Sequence, residues 1–289
     1  MSEQVRAELA GISEALKAAL RACAARPPLV DAAFIGNTSG HYSSSLGLMV
    51  DFDAFVFVDR MDEQAGKPLA DLRDRFADEC GRRDIDFELR IIEGPYKPAI
   101  PRLQRPVFVV HLGVFTEALY LASTPLKRWA WRKYRCEQEP GRLARLAPSK
   151  PTLAEFVAGP KGLRQRREAI ENGAVEMTEW MLPSLVAVPF TVTADQVNFI
   201  ECCFTYAATS ARNHARTLGA PEADRLNNDD FFPWYDAAVL QSPELLELMA
   251  LKARCRDSGF DLPIGRARAL ALGYMRLLED RLRLADGGT

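Results

Sequence analysis

Histidine is scarce and cysteine is scattered in this chain: three histidines and six cysteines among 289 residues, with no Cys-x-x-Cys pair. The missing pair removes the spacing of a zinc finger or ribbon. Cys23, Cys80, Cys136, Cys202, Cys203 and Cys255 therefore read as free thiols of a reducing compartment. Three histidines also leave little room for imidazole chemistry. Long apolar runs are missing too: stretches such as residues 107–110 and 185–190 fall far short of the ~20 residues that span a bilayer. Glu3, Arg6, Glu8 and Glu14 interrupt the first segment, so no signal peptide is expected and the chain reads as cytoplasmic. Internal repeats and low-complexity tracts are absent.

What remains is the composition of a globular protein, 48% hydrophobic and 26% charged. The length allows a sizeable core in one large domain or two ordinary ones. A net charge of −2 hides an asymmetry: residues 127–167 hold twelve Lys/Arg against three acids, a local excess of nine that hints at an anionic partner. Part of it, residues 125–135, interleaves cations with Trp129, Trp131 and Tyr134, a mixture able to stack bases and neutralise phosphates. An amphipathic helix with solvated cations explains the same pattern.

Periodicity divides the chain. Val5, Leu9, Ile12, Leu16 and Leu20 step by three or four, the mark of an amphipathic helix that Pro27-Pro28 ends. Residues 32–36 and 49–58 read as strands, 67–82 as a helix, and 107–115 as a further strand. Between them, Ile85, Phe87, Leu89 and Ile91 alternate with Asp86, Glu88 and Arg90, a strand with one polar face. Beyond about residue 119 strand signals fade, and 123–136, 152–158, 163–182, 195–218, 235–257 and 265–284 all fit helices. The expected fold is α+β: a small mixed-sheet domain over residues 1–122, then an all-helical domain over 123–289.

The chemistry concentrates early. Asp51 and Asp53 stand one residue apart in an apolar, aromatic strand, on the same face because side chains alternate. Two like charges placed together are costly unless a cation neutralises them. Just upstream, Gly36-Asn37-Thr38-Ser39-Gly40 offers backbone N–H groups of the kind that hold phosphate. Metal ions meeting a polyphosphate is the reading that joins the two features.

These motifs, a strand ending in Gly36, a Ser/Thr-containing turn and the Asp51-x-Asp53 strand, resemble the nucleotidyltransferase superfamily of the DNA polymerase β-like fold. The trailing helices look most like the kanamycin nucleotidyltransferase branch, which modifies small molecules. The motif match covers residues 30–115. The resemblance implies two Mg²⁺ ions on Asp51 and Asp53, and a nucleoside triphosphate, expected to be ATP, whose β- and γ-phosphates meet Gly36, Asn37, Thr38 and Ser39. A nucleoside monophosphate would pass to a hydroxyl of a small molecule, with release of pyrophosphate. A third acidic residue on a later strand would share a metal or serve as base. Glu88 is the first candidate and Asp86 the second; His111 occupies the next strand and is a general base by chemistry. Asn37 stands where the pattern usually has Ser or Gly, and fifteen residues from Gly36 to Asp51 make a loop longer than usual, with His41, Tyr42 and residues 43–45 inside it.

Arg132, Lys133, Lys161, Arg164, Arg166 and Arg167 are candidates to reach the triphosphate. Tyr206, Ser210, Arg212 and Asn213 have spacings that fit either an acceptor cleft or an ordinary helix, and His214 reads as structural. Two alternatives share the fold: nucleotidyl transfer to RNA or protein, motivated by the basic segment, and a catalytically silent nucleotide-binding regulator.

Overall fold

The computed structural model describes residues 3–35, 41–44, 47–94, 106–122, 152–196, 198–258 and 263–286, with side chains from Phe52 onward in the strand that carries the acids. Helix α1 (Glu3–Ala24) leads into β1 (Leu29–Ile35), β2 (His41–Ser44), β3 (Gly47–Val58), α2 (Glu63–Gly81), β4 (Asp86–Arg90), β5 (Ile92–Glu93), β6 (Val107–Phe115) and α3 (Glu117–Ala122). The principal sheet has the order β1-β3-β6-β4, with β2 paired to β3. β1 and β2 run antiparallel to β3, whereas β3-β6 and β6-β4 are parallel, so the sheet is mixed as expected.

Alternation sorts its two faces. Phe52, Ala54, Val56 and Val58 of β3, with Phe108, Val110, Leu112 and Val114 of β6, form one buried face. Leu9, Ile12, Leu16 and Leu20 of α1 cover it with Leu69, Leu72 and Phe76 of α2. Burial of these aliphatic and aromatic side chains, at about 1.5–3 kcal/mol each, is what fixes the strand register. The opposite face carries Asp53 and His111 and, further along the strands, an aromatic cluster of Phe55, Phe57, Phe115 and Tyr120. Gly113 is required there: a Cβ on it would sit 2.4 Å from a ring carbon of Phe55, which meets Phe115 edge-on at 5.7 Å.

The C-terminal region is helical, but not wholly so. Helices α4 (Leu153–Ala158) and α5 (Leu163–Asn172) precede strands β7 (Ala174–Met181) and β8 (Val186–Thr193). Then follow α6 (Phe199–Thr217), α7 (Glu222–Arg225), α8 (Asn228–Ala238), α9 (Pro243–Ser258) and α10 (Ile264–Asp286). The β7–β8 hairpin corrects the expectation of one helix over 163–182 and of an all-helical domain. Gly173 stops α5 in the left-handed conformation at φ 68°, donating its N–H to the carbonyls of Ala169 and Ile170. Past it, Val175, Thr178, Trp180, Val186, Val188 and Val192 are β-branched or aromatic and favour an extended chain. The helix expected over 235–257 is two, because Ser242 caps α9 and Pro243 opens it. Residues 123–151, with the expected helix 123–136, lie outside the described residues.

The two parts are joined through the hairpin. β5 pairs with β7 in a second sheet of order β5-β7-β8, so β4 and β5 hand the chain from one sheet to the other. Trp180, Leu182 and Leu185 pack into the N-terminal core, while Val175, Met177 and Val192 belong to the C-terminal one. At Gly66 of α2 a Cβ would meet the Pro183 carbonyl oxygen at 1.8 Å, so the hairpin turn lies directly on the helix backbone.

Candidate metal and nucleotide site

Register across the three parallel strands defines the site. Asp51 of β3 aligns with Val109 of β6, which aligns with Glu88 of β4. Two residues on, Asp53 aligns with His111, and His111 with Arg90. Registered residues on neighbouring strands occupy the same face. The row Asp53–His111–Arg90 therefore runs across the face opposite α1 and α2, beside the position of Asp51. Neighbouring strands are about 4.8 Å apart, so β4 lies roughly 10 Å from β3. Asp53 and His111 are each half-buried.

The sequence candidates fare differently in this frame. Glu88 is two strands away from Asp51 and its Oε1 accepts from Arg90 Nη1 at 3.0 Å. Asp86 is exposed at the start of β4, where its backbone N–H donates to the Pro106 carbonyl. His111 is the only one of the three registered directly against an Asp-x-Asp residue. Gly36, Asn37, Thr38 and Ser39, and the side chains of Asp51, His41 and Tyr42, lie outside the described residues. Backbone pairing still places His41 opposite Val50 and Tyr42 opposite Met49, so the hairpin β2–β3 sits immediately before the acids.

Arg90 and Glu179 form a pair that sequence reasoning missed. Arg90 Nε and Nη2 donate to the two carboxylate oxygens of Glu179 at 2.6 and 2.8 Å. With Glu88, two carboxylates meet one guanidinium, and the fork geometry draws Arg90 toward β7. The polar alternation of β4 was the available signal; Glu179, 89 residues later, had none.

Several C-terminal candidates are otherwise engaged. Lys161 bonds Glu93 at 2.7 Å, and Arg167 meets Glu279 at 3.1 Å and Glu171. Arg166 lies over the Tyr206 ring, 5.4 Å from its centroid. Arg212 donates to the Ala223 and Leu226 carbonyls and to Asn228, while Ser210 and Asn213 are fully buried. These four α6 residues thus do not line one cleft together. His214 is a core residue: Nδ1 bonds the Tyr235 hydroxyl at 2.7 Å, Tyr235 contacts the Tyr274 hydroxyl at 3.2 Å, and the ring stacks on Phe156. Burial lowers its pKa to about 4. Arg132, Lys133 and the rest of residues 125–135 lie outside the described residues.

A surface depression of about 440 Å³ lies elsewhere, lined by Val58, Asp59, Arg60, Thr116, Glu117 and Trp180 among others. It opens at the far end of β3, five residues or about 16 Å beyond Asp53, and does not adjoin the acid pair.

Among the described residues, which do not include the Asp51 side chain, no group of three His, Cys, Asp or Glu gathers to hold a metal ion. Asp53 and His111, a carboxylate and an imidazole in register, are groups of the kind that bind a divalent cation. No helix among the described residues is long and apolar enough to cross a membrane. Comparisons with known proteins found no matching family model, no matching curated sequence and no matching solved structure.

Proposed function

We propose that the chain is a divalent-metal-dependent nucleotidyltransferase that moves a nucleoside monophosphate from a nucleoside triphosphate, ATP by preference, to a hydroxyl of a small molecule. The observation that carries this reading is the position of Asp51 and Asp53. They occupy alternate positions of the central strand, Asp53 on the face that the two N-terminal helices leave uncovered, next in sequence to a hairpin and a Gly-containing turn. Asp51 and Asp53 would hold Mg²⁺, which when bound supplies charge neutralisation at the triphosphate. The turn at Gly36, Asn37, Thr38 and Ser39 would bind the β- and γ-phosphates through backbone N–H groups. In the reaction the acceptor oxygen bonds the α-phosphorus, the bond to the β-bridging oxygen breaks, pyrophosphate leaves, and the hydroxyl proton passes to a neighbouring base or water. Positioning and charge, rather than covalent chemistry, are what the protein contributes.

Pyrophosphate release from each NTP against pools of hydroxyl acceptors tests the reading, alongside calorimetric titration with MgATP. Mg-dependent binding that Asp51→Asn and Asp53→Asn abolish is expected. Equal nucleotide affinity with and without Mg²⁺, and with and without the carboxylates, would refute it. Mg-dependent binding without pyrophosphate release from any pool would instead favour the silent regulator of the same fold.

A further inference from the structure

We infer that His111 supplies a nitrogen ligand to the cation held by Asp53, making the site a mixed carboxylate–imidazole centre rather than an all-oxygen one. This rests on the metal site of the proposed function and deepens it. The argument is the registered row. Donor atoms that share one first-row cation at bonds of about 2.1 Å lie roughly 3 Å apart. Side chains on one face of adjacent strands, whose backbones are about 4.8 Å apart, reach that separation readily. Asp53 and His111 are such a pair. Glu88 is not: β6 stands between it and β3, and its carboxylate is bonded to Arg90. The next group in the row, Arg90, is forked onto Glu179 and bonded to Glu88, so two carboxylates offset its charge on the β4 side.

The consequence is metal choice. Carboxylate and water suit Mg²⁺, whereas an imidazole nitrogen favours later first-row ions over it. Mn²⁺ is therefore expected to bind the full-length protein at least about tenfold more tightly than Mg²⁺, and Co²⁺ more tightly still. Bound Mn²⁺ gives a direct readout, since a nitrogen ligand modulates its pulsed-EPR echo. The wild type should show ¹⁴N modulation that His111→Asp and His111→Asn both lose. His111→Asp should also restore an all-oxygen set and narrow the Mn²⁺/Mg²⁺ ratio severalfold by raising Mg²⁺ affinity, measured by competition against free Mn²⁺. Glu88→Gln should leave both properties unchanged. Near-UV circular dichroism shows which variants fold, and the wild-type echo decides the matter even if neither His111 variant does. Absence of nitrogen modulation in the wild type, or its persistence in a folded His111→Asp, overturns the assignment. If Asp51→Asn and Asp53→Asn abolish Mn²⁺ binding while the His111 variants change nothing, this inference fails and the proposed function stands. If the aspartate variants bind Mn²⁺ like the wild type, the proposed metal site itself is lost.

Discussion

Asp53 stands two residues from Asp51 on β3 and in register with His111 of β6, the arrangement on which the proposed metal site depends. Under the proposed function, Asp53→Asn should cut pyrophosphate release on the order of a hundredfold or more. Mg²⁺ should raise the unfolding temperature of the wild type and leave that of the variant unchanged. His214 supplies a contrast, a buried histidine with no exposed role. Its folded pKa of about 4 lies below the ordinary value near 6.5, so the unfolded chain binds the proton more readily. The sign follows: its contribution is complete above pH 6.5 and is lost as pH falls toward 4, by up to about 3 kcal/mol. Urea unfolding at pH 7, 5.5 and 4.5 should show this decline, and His214→Gln should flatten it.

At the scale of elements, one hairpin decides how the molecule is joined. Strand β7 takes β5 on one side and β8 on the other, and Glu179 on it receives the fork of Arg90. Both partners are partly shielded, with side chains 26% and 22% exposed, so the pair is worth more than a surface ion pair. A double-mutant cycle with Arg90→Met and Glu179→Gln should return a coupling of about 1–2 kcal/mol in unfolding free energy. Close backbone approach sets a second constraint. Gly66→Ala would press a methyl group into the Pro183 carbonyl and should destabilise by about 1–3 kcal/mol, read as a lower urea midpoint with an unchanged slope.

For the whole molecule, two hydrophobic cores share one connector. Leu185, buried to 2% exposure, belongs to the N-terminal core, while Val175 and Met177 of the same hairpin belong to the C-terminal core. Unfolding of the wild type should be a single transition, coincident by tryptophan fluorescence and far-UV circular dichroism. Leu185→Ala should cost about 2–5 kcal/mol in the N-terminal core and pull the two signals apart.

Local patterning made much of this legible in advance. The alternation of β4, the steps of α1 and the run at Asp51–Asp53 specify their elements because period and burial are written residue by residue. The all-helical reading failed at residues 174–193, where a strand signal stands beside a helix and only Gly173 marks the change. The sequence by itself determined that Asp51 and Asp53 take alternate positions of one strand, since the apolar and aromatic run around them specifies β3. Only the tertiary structure decided that His111 lies beside Asp53 and that Arg90 forks onto Glu179. Strand order and register arise from packing between residues tens of positions apart, and no local pattern encodes them.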